Sequence, residues 1–251
     1  VLSTNEGVYA FGPYGIWLYS NNQWESMNFT NARSIRAVLS DKNGGLWLGT
    51  DIGLYHCKEE QTIAYQKNDD LISAYVKGLD FDEQGNLWVA GLGGVTIRNG
   101  DRVIDRKEPA DGITNIHVNF VKKAPDGKMW AGTDYGITRF QPGESDYSVR
   151  LSQRWLRADE VRDIDFDAKG NAWVATADGV SVIRSKKMNL AEKADYFYDQ
   201  LITRHVREPG IVARFKLEVP GDTSSIVADD DDNDGEYTAM YLAMESFRYA
   251  V

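Results

Sequence analysis

Apolar and polar residues alternate through four similar stretches of the chain: SIRAVLSD from Ser34, YVKGLDFD from Tyr75, HVNFVKKA from His117 and EVRDIDFD from Glu160. A period of two marks a half-buried strand, whose side chains point by turns to the core and to solvent. Each stretch runs into a glycine (Gly44, Gly85, Gly127 or Gly170) that can supply the positive φ of a tight hairpin. A second strand follows (LWLGT, LWVAG, MWAGT, AWVAT), then a short loop and a third (GLYHC, GVTIR, GITRF, GVSVI). All but the last of the repeats add a looser fourth strand, of which QTIAYQK is an example.

Tryptophan sets the period. Trp47, Trp88, Trp130 and Trp173 lie 41, 42 and 43 residues apart, and six residues after each comes Gly53, Gly94, Gly136 or Gly179. A weaker copy opens the chain, with Tyr9 in the tryptophan position and Gly15 six residues on. Four strands in about 42 residues is the size of a β-propeller blade. The predicted fold class is therefore mainly β: a propeller of about five blades over residues 1–186, followed by an α-helical segment. The first blade is incomplete, because Val1-Leu2-Ser3-Thr4 aligns with Val38-Leu39-Ser40-Asp41 and so begins inside a strand. The last copy ends near Ile183 without an evident fourth strand. The tryptophans are expected to fill the gaps between neighbouring blades rather than to touch a ligand.

The run D-x-x-G-x-[LM]-W-x-G-T-x-x-G-[LI] resembles the two-component regulator propeller repeat, found in periplasmic sensor halves of bacterial regulators. The resemblance covers about residues 1–185 and is strong in the second and fourth copies. The third departs with Ala90-Gly91-Leu92 and the fifth with Ala175-Thr176. It implies a sensing propeller in the periplasm or outside the cell, whose ring closes only if the ends share a blade or further blades exist.

After Arg184 the period changes. Asn189, with Glu192 at the capping-box position, opens a helix whose apolar residues Leu190, Ala194, Phe197, Tyr198, Leu201 and Ile202 share a face. Pro209-Gly210 ends it, and a strand, IVARFKLEV, precedes a turn at Pro220-Gly221. A second amphipathic helix, YTAMYLAMESFRYAV, follows the acidic run. Residues 187–251 thus read as the start of a second domain, and they resemble the opening of an α/α toroid of carbohydrate-active enzymes.

Charge narrows the partners. With 28 basic and 38 acidic side chains the net charge is −10, which repels phosphate and argues against nucleic acid. The single cysteine, Cys57, excludes an internal disulfide, and no apolar run reaches the length of a membrane span. Val1 is not an initiator, so further domains are expected beyond both ends.

Two places could carry chemistry. Asp230, Asp232 and Asp234 before Gly235, with Glu236 next, match the first half of a calcium loop, although Tyr241 stands where a bidentate glutamate belongs. The competing reading is an acidic cap on the following helix. The second place is the channel end that carries the loops between second and third strands. Those loops and the inter-blade segments hold Tyr14, Asp51, Asp134, Tyr135, Trp155 and Asp178, with Arg33, Asp111 and Asn115 nearby. Rings beside carboxylates suit an oligosaccharide or another small polar ligand. His56, His117 and His205 lie too far apart in sequence to argue for a metal triad.

The leading functional expectation is a ligand-sensing or binding propeller for a glycan fragment, the propeller itself not catalytic. The alternatives are the front part of a carbohydrate-active enzyme, using the acidic loop and His205, and a scaffold for protein partners.

Overall fold

The computed structural model describes all residues except 28–30, 32–33, 59–60, 67–69, 144–145, 220 and 251. It divides into two compact units, Val1–Arg184 and Ser185–Val251.

The first unit is a run of five antiparallel meanders. Blade 1 comprises β1 (Leu2–Ser3), β2 (Val8–Gly12), β3 (Gly15–Ser20) and β4 (Gln23–Met27). Blade 2 comprises β5 (Ile35–Ser40), β6 (Leu46–Thr50), β7 (Leu54–Lys58) and β8 (Gln61–Tyr65). Blade 3 comprises β9 (Val76–Phe81), β10 (Leu87–Gly91), β11 (Gly94–Asn99) and β12 (Arg102–Lys107). Blade 4 comprises β13 (Val118–Lys123), β14 (Met129–Thr133), β15 (Gly136–Phe140) and β16 (Tyr147–Arg150). Blade 5 has three strands among the described residues: β17 (Val161–Phe166), β18 (Ala172–Thr176) and β19 (Gly179–Ile183). The innermost strands β5, β9, β13 and β17 are successive neighbours.

The hairpin glycines do what the sequence asks of them: Gly44, Gly85, Gly127 and Gly170 have φ of 79°, 81°, 79° and 76°. The aspartate that opens the same turn ties it to the tryptophan. In blade 3 Asp82 accepts from the backbone N–H of Asn86 at 2.8 Å and from the indole N–H of Trp88 at 3.0 Å. In blade 5 Asp167 repeats both contacts, at 2.9 Å from Asn171 and 3.2 Å from Trp173. Blade 4 has Ala124 in that position, and the indole N–H of Trp130 is buried without a partner. Blade 2 differs again: Asp41 is 2.8 Å from His56 Nε2, and the His56 ring stacks on Trp47 at 4.1 Å.

Alternation gives each blade two apolar faces. One carries Tyr9, Trp47, Trp88 or Trp130 and packs on the opposite face of the next blade. Tyr9 and Ile16 meet Leu46, Leu48, Tyr55 and Cys57, and Trp47 and Leu54 meet Leu87 and Val89. Trp88 and Val95 meet Met129, Ala131 and Phe140, and Trp130 and Ile137 meet Ala172, Val174 and Ile183. Burying rings of this size is the main source of blade cohesion, since apolar burial contributes about 25 cal/mol per Å². The expectation that all the tryptophans are interfacial holds for three. Trp173 is 48% exposed, and among the described residues no further blade lies on its face.

The second unit contains α1 (Leu190–Arg204), the short pair β20 (Val206–Arg207) and β21 (Ile211–Val212), the pair β22 (Arg214–Leu217) and β23 (Ile226–Asp229), and α2 (Asp234–Ala250). The capping box forms: Asn189 accepts from Glu192 N–H at 2.9 Å, and Glu192 accepts from Asn189 N–H at 3.0 Å. Helix α1 ends at Arg204, short of Pro209, with His205 as its C-cap. The single strand expected over IVARFKLEV is interrupted at Ala213, whose carbonyl meets His205 Nδ1 at 3.1 Å. Among the described residues no helix is long and apolar enough to cross a membrane.

Candidate functional site

The innermost strands carry a device that repeats four times. Within blade 2, Ile35 pairs with Thr50 and Ala37 with Gly49, so Arg36 is an extra residue without a partner across the ladder. The same slip isolates Lys77 in blade 3, Asn119 in blade 4 and Arg162 in blade 5. These are β-bulges, which bend a strand and re-aim a side chain. All four side chains are re-aimed into one cavity of about 500 Å³, which Phe11, Gly12 and Pro13 of blade 1 border on the remaining side.

The cavity has its own hydrogen-bond chain. Lys77 Nζ donates to Asn119 Oδ1 at 2.7 Å. The Asn119 amide donates to Asp134 Oδ1 at 2.8 Å and to the Val161 carbonyl at 2.9 Å. Asp134 Oδ2 lies 2.8 Å from His117 Nδ1. The chain crosses three blades, so the bulges also fix the blades' relative placement at the channel. The Asn119 amide, with His117 and the Lys77 charge behind it, holds the Asp134 carboxyl below the usual range against its partial burial. Arg162 Nε donates to Glu160 at 3.1 Å, and the Arg36 guanidinium lies 4.3 Å over the Tyr75 ring.

Of the residues singled out from the sequence as ligand contacts, Asp134 lines this cavity. Asp51 accepts from the backbone N–H of Ser34, itself a lining residue, at 3.2 Å. Tyr14 follows the lining residue Pro13 and is exposed, as is Tyr135. Trp155 lies under the Arg150 guanidinium at 4.7 Å, and Asp178 pairs with Arg157 at 3.3 Å, both outside the lining. Arg33 falls outside the described residues, while Asp111 closes a short capping turn with Glu108.

What the sequence reading missed are Arg36, Lys77, Asn119 and Arg162. The signal was present. Each sits eleven residues before its tryptophan (or its blade's Trp equivalent), at Trp47, Trp88, Trp130 and Trp173. The apolar pairs that flank them, Ile35/Val38, Val76/Leu79, Val118/Val121 and Val161/Ile164, are spaced by three rather than two. A slip of one residue inside an alternating strand is how a bulge is written in sequence.

The acidic loop is arranged differently from a cation cage. Asp230 pairs with Arg207, Asp231 with Arg214 at 2.9 Å, and Asp229 with Arg214 at 2.9 Å and Lys216 at 3.0 Å. Asp232, Asp234 and Glu236 do not join Asp230 around one point. Among the described residues no group of three or more His, Cys, Asp or Glu side chains is placed to hold a metal. The acidic side chains as placed form a ladder of ion pairs leading into α2.

Residues 29–51 match the family described as two component regulator propeller, so the resemblance carried by the repeats holds over the second blade. No curated protein sequence matches the chain. Among solved structures, the extracellular domain described as that of a hybrid two-component system from B. thetaiotaomicron superposes over 72% of this chain with a TM-score of 0.65 and 24% identity. The extracellular domain described as that of a one-component system from the same organism covers 74% with a TM-score of 0.61 and 16% identity. The chain spans only about a quarter of those domains, 26% and 27% of their lengths. Virginiamycin B lyase from Staphylococcus aureus, at 13% identity and a TM-score of 0.56, shares the fold over 75% of this chain and 70% of its own. At these identities the likeness is one of fold, and the fold is a β-propeller.

Proposed function

We propose that the propeller unit is an extracytoplasmic ligand-sensing module that takes a small polar ligand, a glycan fragment, at its central cavity. The observation that carries this reading is the fourfold bulge, which spends four ladder positions on aiming polar side chains at one point. The extracellular domains of regulatory systems that share the fold support the location and the sensing role. A sugar would find donors and acceptors on Asn119, Lys77 and Ser34 and an apolar edge at Phe11 and Pro13. Because those groups belong to different blades, a bound ligand would favour one blade arrangement over others, which is what a sensor needs.

Titration calorimetry of the protein against a panel of oligosaccharides tests it. Binding should be saturable and should disappear in Asn119→Ala/Lys77→Ala. Binding that survives this double variant places the ligand elsewhere and overturns the assignment.

A further inference from the structure

The charge inside the cavity runs against the charge of the chain. The protein carries −10, yet Arg36, Lys77 and Arg162 face only Asp134 and Glu160 in the cavity lining. The two carboxylates are also committed. Asp134 uses both oxygens, one on Asn119 and one on His117, and Glu160 is engaged by Arg162 Nε. Arg36 has the Tyr75 ring beneath it and no carboxylate partner among the described residues. Lys77 spends one donor on the neutral Asn119 carbonyl. Two guanidiniums and an ammonium thus present unspent donors to a cleft open to solvent. Charge-assisted hydrogen bonds are about twice as strong as neutral ones.

We infer that the cavity selects an anionic ligand, a glycan fragment bearing a carboxylate, with Arg36, Lys77 and Arg162 as its cationic donors from three blades. This deepens the sensing reading above and rests on it. The shape argues for a carboxylate on a sugar rather than a bare anion. A guanidinium fork matches a planar carboxylate, and the cavity of about 500 Å³, bordered by Phe11 and Pro13, has room for the rest of a sugar unit or two. Since each bulge contributes one side chain, four positions write the ligand preference, and here they read Arg, Lys, Asn, Arg.

The experiment is calorimetry with three probes: digalacturonate, its neutral counterpart digalactose, and inorganic phosphate. Digalacturonate should bind at least ten-fold tighter than digalactose and weaken with added salt. Arg36→Gln and Arg162→Gln should each cost about ten-fold or more in digalacturonate affinity while leaving the melting temperature near that of the parent, since both side chains are exposed. Equal binding of the two sugars, with both variants unchanged, would overturn the anionic preference and leave the sensing reading standing. Phosphate binding tighter than digalacturonate would overturn the carboxylated sugar in favour of a phosphorylated or bare anion. Failure of every sugar, with phosphate silent as well, would overturn both readings.

Discussion

Trp88 and Trp173 hold the same place in the same repeat, with the same aspartate at the head of the turn, and they live in different solvents. Trp88 is 1% exposed beneath blade 4, and Trp173 is 48% exposed on the open face of blade 5. The hydrogen bond to the turn aspartate survives in both, at 3.0 Å and 3.2 Å. Local geometry is therefore a property of the repeat, whereas burial is a property of the neighbour. In a chain of stacked units each interface is a separate energetic term, and among the described residues the Trp173 face lacks one.

The largest test of that separation is truncation of the two rings. Trp88→Ala should cost about 3–5 kcal/mol in urea unfolding, a buried aromatic with its cavity. Trp173→Ala should cost only about 1 kcal/mol, because half of its surface is already in water. Equal costs would mean that the repeat, not the interface, holds the ring's energy.

A smaller effect is expected where two chains of the ladder approach. A Cβ on Gly132 would meet the Phe120 ring at 2.2 Å, and that ring is itself packed against blade 5. Gly132→Ala should therefore cost about 1–3 kcal/mol by overpacking. The matching position in blade 5 is already alanine, Ala175, opposite Asp163 rather than a ring. Ala175→Gly should change stability by less than Gly132→Ala does, measured by the same unfolding curves.

Blade 4 can be repaired. Ala124→Asp would restore the acceptor that Asp82 and Asp167 supply, and should satisfy the buried indole N–H of Trp130. The expected gain is about 1 kcal/mol, seen as a higher denaturation midpoint. A loss would show that the turn has no room for the side chain.

The smallest effect is a pH dependence at the exposed end. Hydrogen bonds from Asn171, from backbone N–H groups and from the Trp173 indole pull the Asp167 carboxyl down to about 2 from an ordinary 3.8. Its folded value lies below its unfolded one, so its contribution is complete above 3.8 and is lost as pH falls through about 2. The stability gap between the parent and Asp167→Asn should narrow steadily from about pH 5 to about pH 2. A gap that stays constant would remove the ionised carboxylate from the turn's energetics.

Strand count, turn positions and blade spacing were legible because each depends on residues near one another in sequence. Gly85 forms its hairpin and Asp82 caps it within five positions. The helix cap at Asn189 and Glu192 was legible for the same reason. The cavity lining was less so. Of the loop residues that drew attention because of their chemistry, Asp134 lines the cavity, while Tyr135 and Asp178 lie outside its lining, which the strands and their ends also supply. Arg36, Lys77, Asn119 and Arg162 look like ordinary solvent-facing strand positions until the ladder is seen to slip around each.

The sequence by itself determined that this protein is a stack of four-stranded units with a capped helical unit after them, since alternation, turn glycines and capping boxes act over a few residues. The tertiary structure alone decided which tryptophan is buried, which indole is left without an acceptor, and which four side chains meet. Those outcomes depend on contacts across blades some forty residues apart, and proximity of that kind is set by how sheets pack, not by any single stretch of chain.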